Sequence, residues 1–199
     1  MSRRGEPAEV ARSLGRPRSA AADRSIIDAA LACFAESGLE GLTMDAVAAR
    51  AGVSKATIYR RYPGKVELVM AAAEELSREQ VPIPDTGSLS GDLRATLANL
   101  TRLLTATVSG RAVGMLAAEI QRNPELAAAH RAFIVQRRRS TAGVVQRAVE
   151  RGELPPGVDA ELLADLAIAP VFHRALITGD PLDDAFLDAV VGLVIRAFR

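Results

Sequence analysis

The sequence has 199 residues, 25 basic and 24 acidic side chains, one cysteine, no tryptophan and 49% hydrophobic residues, a composition that suits a globular chain able to bury a core without disulfides or structural metal. Cys33 alone cannot form an internal bridge or a cysteine-based zinc site, and the longest apolar runs, such as Ala189–Ile195, fall far short of the roughly 18 residues a membrane span needs. The net charge of +1 hides an asymmetry: residues 1–65 carry 11 basic and 7 acidic groups, and Ala46–Val66 holds Arg50, Lys55, Arg60, Arg61 and Lys65 without one acid. Such a stretch reads either as a surface that attracts phosphates or as a solvated helix face. The first residues are basic but have no apolar core of a signal peptide. The expectation is a cytoplasmic chain with no membrane partner, metal or cofactor.

In chain order, residues 1–18 contain Gly5, Pro7, Gly15 and Pro17 without apolar periodicity and predict a flexible basic arm. From Ala20 onward, Ile27, Leu31 and Phe34 recur at helical spacing, and Gly38 is the expected stop. Thr43 stands where an N-cap belongs, with Met44, Val47 and Ala48 as a short buried face. Gly52 interrupts, and Ser54 can cap a third short helix through Arg60. Two short helices joined by a tight glycine turn predict a helix-turn-helix over residues 19–65. A longer helix follows from Gly64 to Glu79, and the stretch Val81-Pro-Ile-Pro-Asp-Thr-Gly-Ser is the clearest internal boundary.

Beyond it everything reads as helix. Expected spans are Leu89–Val108, Ala112–Gln121, Pro124–Arg151, a helix capped by Asp159 and kinked at Pro170, and a last one over Asp183–Phe198. The fold class predicted is therefore all-α, with about nine helices: an N-terminal three-helix domain that carries the helix-turn-helix, and residues 66–199 as a second helical domain.

The densest constellation is Leu42–Lys65. A short helix fits the major groove if one face carries donors and the other packs on a partner helix. Ile58 and Val53 can supply the packing, which leaves Lys55, Thr57, Tyr59 and Arg60 facing outward with Ser54 at the helix start. Thr43 and Lys65 lie near helix N-termini, where free amides and the macrodipole favour a phosphate. Arg16 and Arg18 are placed to reach a minor groove or flanking phosphates, with a solubilising tail as the alternative.

The run Val53-Ser-Lys-Ala-Thr-Ile-Tyr-Arg-Arg-Tyr-Pro-Gly-Lys65, within a segment from about Arg18 to Val69, resembles the DNA-binding region of the TetR (tetracycline-repressor-like) transcriptional regulators. That resemblance implies DNA contacts at Thr43, Ser54, Lys55, Ala56, Thr57, Tyr59, Tyr62 and Lys65. Tyr62 replaces the commoner Phe, and Gly64 replaces the Ser that usually caps the fourth helix. Arg151–Pro155, Glu161–Leu166 and Pro170–Arg174 resemble the C-terminal domain of one branch of that family, although they also read as turns, caps and core.

In the second half, Leu97, Leu100, Leu104, Met115, Leu116, Phe133 and Phe172 are candidate walls of an apolar effector pocket, with Glu119, Arg111, Gln121 and His130 as polar groups near it. Ordinary core packing is the competing reading for each. The last two helices are apolar on more than one side, beyond the single stripe a monomer needs. Leu162, Leu166, Phe172, Leu176, Phe186, Val190, Leu193, Val194 and Ala197 are thus expected in a homodimer interface. His130 and His173 lack metal-ligand spacing, and Arg137-Arg138-Arg139 reads as a solvated helix face or a second DNA site. No Walker A, Gly-x-Ser-x-Gly or Gly-x-Gly-x-x-Gly string occurs. The function expected is a regulator, a repressor released from an inverted-repeat operator by a small apolar ligand. The rivals are an architectural DNA-binding protein without effector control and an enzyme carrying an appended helix-turn-helix.

Overall fold

The computed structural model describes the backbone of residues 16–199, and side chains from residue 20 onward except residue 107. Among the described residues every regular element is helical: α1 (Arg16–Gly41), α2 (Met44–Ala51), α3 (Lys55–Tyr59), α4 (Lys65–Gln80), α5 (Leu89–Thr105), α6 (Thr107–Glu119), α7 (Pro124–Glu150), α8 (Ala160–His173), which runs directly into a π-helical turn (Arg174–Thr178), and α9 (Asp184–Phe198). The all-α class and the nine α-helices are as the periodicity predicts.

Three departures have local causes. The backbone is already helical at Arg16, so the end of the expected arm is the first turn of α1. Pro17 is tolerated there because the N–H it lacks would have no intrahelical acceptor. The rest of the arm lies outside the described residues. The α5 helix stops at Thr105, and α6 starts at Thr107 with only Ala106 between them, at φ −69° and ψ 142°. This corner is sharper than expected, and Gly110 makes it possible: a Cβ there would run into the Leu104 carbonyl. Finally, Pro170 has no N–H for the helix ladder. The chain continues past it and widens into the π-turn, closed by the Gly179 N–H on the Arg174 carbonyl at 2.8 Å.

Two apolar cores form. The first joins α1, α2, Ile58 of α3 and the first turns of α4, and it also takes Ala112 and Leu116 from α6 and Leu126 from α7. The second joins α5, the later part of α7, α8 and α9, with Leu76 and Val81 from the end of α4. The α4 helix thus crosses from one core to the other, and packing does not divide at residue 65. The Val81–Ser88 stretch is pinned rather than loose. Arg137 donates to the Val81 carbonyl and Arg147 to the Pro84 carbonyl at 2.7 Å. The N–H and hydroxyl of Thr86 donate to the fully buried Asp92 at 2.6 and 2.8 Å. The arginine run is accordingly mostly engaged: Arg138 binds Glu161 and Asp165 of α8 at 2.9 and 2.6 Å, and only Arg139 is fully exposed.

Candidate nucleic-acid interface

The α2–turn–α3 unit is set by local chemistry. The Thr43 hydroxyl accepts from the Ala46 N–H at 3.1 Å, capping α2, and Gly52 ends it at φ +67°, a left-handed conformation that glycine adopts without a Cβ clash. The Ser54 hydroxyl accepts from the Thr57 N–H at 3.2 Å and shares a 2.8 Å hydrogen bond with the Thr57 hydroxyl. At five residues α3 is too short to persist alone. Its anchor is Ile58, fully buried in the first core, with Val53 and Tyr62 half-buried beside it. Burial raises the Tyr62 hydroxyl above its usual pKa.

This anchoring turns the remaining side chains outward. Ser54, Lys55, Ala56, Arg60 and Tyr59 are exposed, Tyr59 by 48%; Thr57 and Lys65 are half-buried and Thr43 is exposed. Gly64 precedes α4 without a side-chain cap, as its missing hydroxyl predicts. The structure therefore brings Thr43, Ser54, Lys55, Ala56, Thr57, Tyr59, Arg60 and Lys65 to one end of the molecule around α2 and α3. The side chains of Arg16 and Arg18 lie outside those described.

Sequence reasoning missed the partners of this basic segment. Arg50 makes a two-pronged pair with Glu36 of α1 at 2.7 and 2.8 Å, which lowers the Glu36 carboxyl and raises Arg50. Lys55 donates to Asp45 of α2 at 2.9 Å, a hydrogen bond that raises its pKa. Arg61 pairs with Asp23 of α1. The Lys65 ammonium donates to the Leu39 and Glu40 carbonyls at 3.3 and 3.2 Å, closing the last turn of α1. Acid-free in sequence, the stretch meets acids in space. The acids lie too far along the chain for any short-range pattern to reveal them.

The expected pocket walls divide between the two cores. Met115, Leu116 and Phe133 belong with the first core, and the Glu119 carboxylate accepts from the Leu39 N–H at 3.4 Å. Leu97, Leu100, Leu104 and Phe172 belong with the second core, which α6 also borders through Val113 while packing chiefly against α1. A narrow apolar crevice of about 20 Å³, room for about one water, lies between α1, α4 and α6, where Phe34, Val69, Ala72, Leu76 and Leu116 line it.

On the last two helices the outward apolar residues are Leu162, Leu166, Leu176 and Ile177 of α8 and its π-turn, with Leu193 (60% exposed) and Ala197 of α9. Val190 and Val194 point the other way and are buried in the second core, so the expectation that they face a partner is corrected. Phe172 and Phe186 are half-buried, the latter under the Arg174 guanidinium at 3.6 Å. Asp184 and Asp188 both bind Arg94 of α5.

Comparison with known proteins agrees with this geometry. Residues 26–72 match the family described as bacterial regulatory proteins of the tetR family, and residues 83–194 match a tetracyclin repressor-like C-terminal domain. The chain is 36% identical to the uncharacterised HTH-type transcriptional regulator YdeS of Bacillus subtilis, over 93% of this chain and 92% of that one. It is 37% identical to the DNA-binding transcriptional repressor TetR of Mycobacteroides abscessus, over 91% and 93%. The crystal structure of the TetR family transcription regulator SCO0332 superimposes with a TM-score of 0.73 at 32% identity, covering 89% of this chain and 98% of that one. Helix-turn-helix, fold and relatives agree: the chain belongs to the TetR family of bacterial regulators and is a DNA-binding transcriptional regulator.

Proposed function

We propose that this regulator acts in the cytoplasm as a homodimeric repressor without enzymatic activity, and that its two copies of α3 read the half-sites of an inverted-repeat operator. The observation that carries the reading is the orientation of α3: Ile58 is wholly buried while Lys55, Ala56, Tyr59 and Arg60 face outward. Thr43, Ser54, Thr57, Tyr62 and Lys65 flank them as phosphate or base contacts. The apolar stripe of Leu162, Leu166, Leu176, Ile177 and Leu193 supports pairing through α8 and α9, since a contiguous exposed stripe of this kind marks an interaction surface. Two-fold symmetry in the protein then calls for a palindromic site.

The effector in this reading is a small apolar molecule. Support comes from the purely apolar lining of the crevice, which a ligand must widen to enter, and from its position against α4, whose first residue, Lys65, belongs to the proposed DNA face. A ligand that favours a shifted α4 weakens DNA binding by its preference for that state, and a coupling of about 1–3 kcal/mol lowers affinity roughly 5- to 150-fold. The test is gel retardation on an operator selected from a random duplex pool, joined to light scattering. Replacing Lys55, Tyr59 and Lys65 together by Ala is expected to abolish retardation while the protein stays dimeric; Leu166→Asp with Leu193→Asp is expected to give monomers. Unchanged retardation by the first variant, or a monomeric wild type at micromolar concentration, sinks the corresponding half.

A further inference from the structure

Asp45 is an odd residue to find beside a surface that meets DNA. It stands in the first turn of α2, two residues after the Thr43 cap, and its side chain is 75% exposed. Glu36 and Asp23, the other carboxylates that meet the basic segment, sit on α1. Asp45 instead holds Lys55, the first residue of α3, at 2.9 Å. A carboxylate there repels every phosphate that approaches α3 and occupies a cation that would otherwise attract one.

We infer that Asp45 is a positioning residue for sequence discrimination, holding the Lys55 ammonium off the phosphates and aiming it at a base edge. An ammonium carries three N–H donors. With one on Asp45, two remain, and they suit the paired O6 and N7 acceptors that guanine presents in the major groove. A Lys55 free to swing would act as a mobile point charge and bind phosphates of any sequence. Asp45 therefore lowers affinity for arbitrary DNA more than for the operator, where the fixed lysine regains a base contact. The inference rests on the reading of α3 as the DNA-reading helix.

The experiment measures binding by fluorescence anisotropy between about 50 and about 200 mM salt, on the selected operator and on a duplex of the same composition with its sequence shuffled. In Asp45→Asn and Asp45→Ala the shuffled duplex is expected to bind tighter. One added phosphate contact per α3, two in the dimer, makes its affinity fall roughly 12-fold further across that salt range. Operator affinity changes less, so discrimination drops, and Asp45→Glu restores it. On a Lys55→Ala background, Asp45→Asn is expected to have no effect on discrimination. Parallel shifts on both duplexes, or an Asp45→Asn effect on discrimination that persists without Lys55, overturn the inference and leave the interface standing. A Lys55→Ala protein that binds the operator as wild type does overturns the interface reading, and the inference with it.

Discussion

His130, half-buried on α7 with its ring 6.0 Å from that of Phe133, has its imidazole pKa held below the ordinary 6.5 by desolvation. The unfolded chain therefore binds a proton at pH values where the folded chain does not, and stability rises with pH through that window. Between pH about 7.5 and about 5.5 the melting temperature of the wild type is expected to fall more than that of His130→Gln. Equal falls would show that the imidazole is as well solvated in the folded chain as in the unfolded one. The pairs that lower Glu36 and Glu75 act in more acid solution, below their ordinary 4.5, and are common to both proteins. At this scale the legible residues were those whose partners are near in sequence. Thr43, Ser54 and Asp159, each read as a cap, cap the helices they precede. Asp45 and Glu36 were not legible, because their roles depend on which side chain the fold brings across from another helix.

Helix ends follow the same logic one level up. Gly38 breaks α1 at φ +66° and ψ −169°, in a region open essentially to glycine alone. A Cβ there would also lie 2.6 Å from the Glu119 carboxylate of α6. Gly38→Ala is expected to destabilise the protein by about 1–3 kcal/mol, read by urea denaturation. A change within about 0.5 kcal/mol would mean that the α1–α6 junction is pliant. The sequence announced this stop as it announced the Pro124 start, each by a residue with a single strong conformational preference. It did not announce the Ala106 corner, since Ala106 has no such preference and the cause, the bare Gly110 against the Leu104 carbonyl, lies four residues on. Pro170 predicted a kink, and the chain instead continues as helix and widens into a π-turn at Arg174–Thr178, which no local residue type announces. Wide apolar faces on α5, α6 and α7 identified core-forming helices without saying which core each leucine enters.

In the whole molecule the two cores are tied along α4, whose first turns enter one and whose end enters the other. Glu119 of α6 accepts from the Leu39 N–H, and the Leu39 carbonyl accepts from Lys65 at the start of α4. The single residue Leu39 thus joins α6 to Lys65, a residue of the proposed DNA face. The division at residue 65 looked natural in the sequence because the helix-turn-helix is a recognisable local pattern. The dependence of its core on Ala112, Leu116 and Leu126 is a matter of distant contacts. A fragment ending at Gln80 loses the cover that Leu116 and Leu126 provide, at about 1.5–3 kcal/mol for each buried leucine. Set against a total of about 5–15 kcal/mol, that loss is large. The fragment is expected to show a broad, weakly cooperative melt by circular dichroism; a sharp transition near that of the full chain would show the first core to be self-sufficient.

The entry of α6 and α7 into the first core bears on how such a protein can change over generations. A reading head that folded by itself could be exchanged whole between regulators, keeping the old sensor and acquiring a new address on the chromosome. Here the exchange would open a hole where Leu116 and Leu126 had been seated. New addresses are more readily reached by replacing the outward side chains of α3 one at a time, since Lys55, Ala56, Tyr59 and Arg60 are exposed while Ile58 alone of that helix is buried in the core.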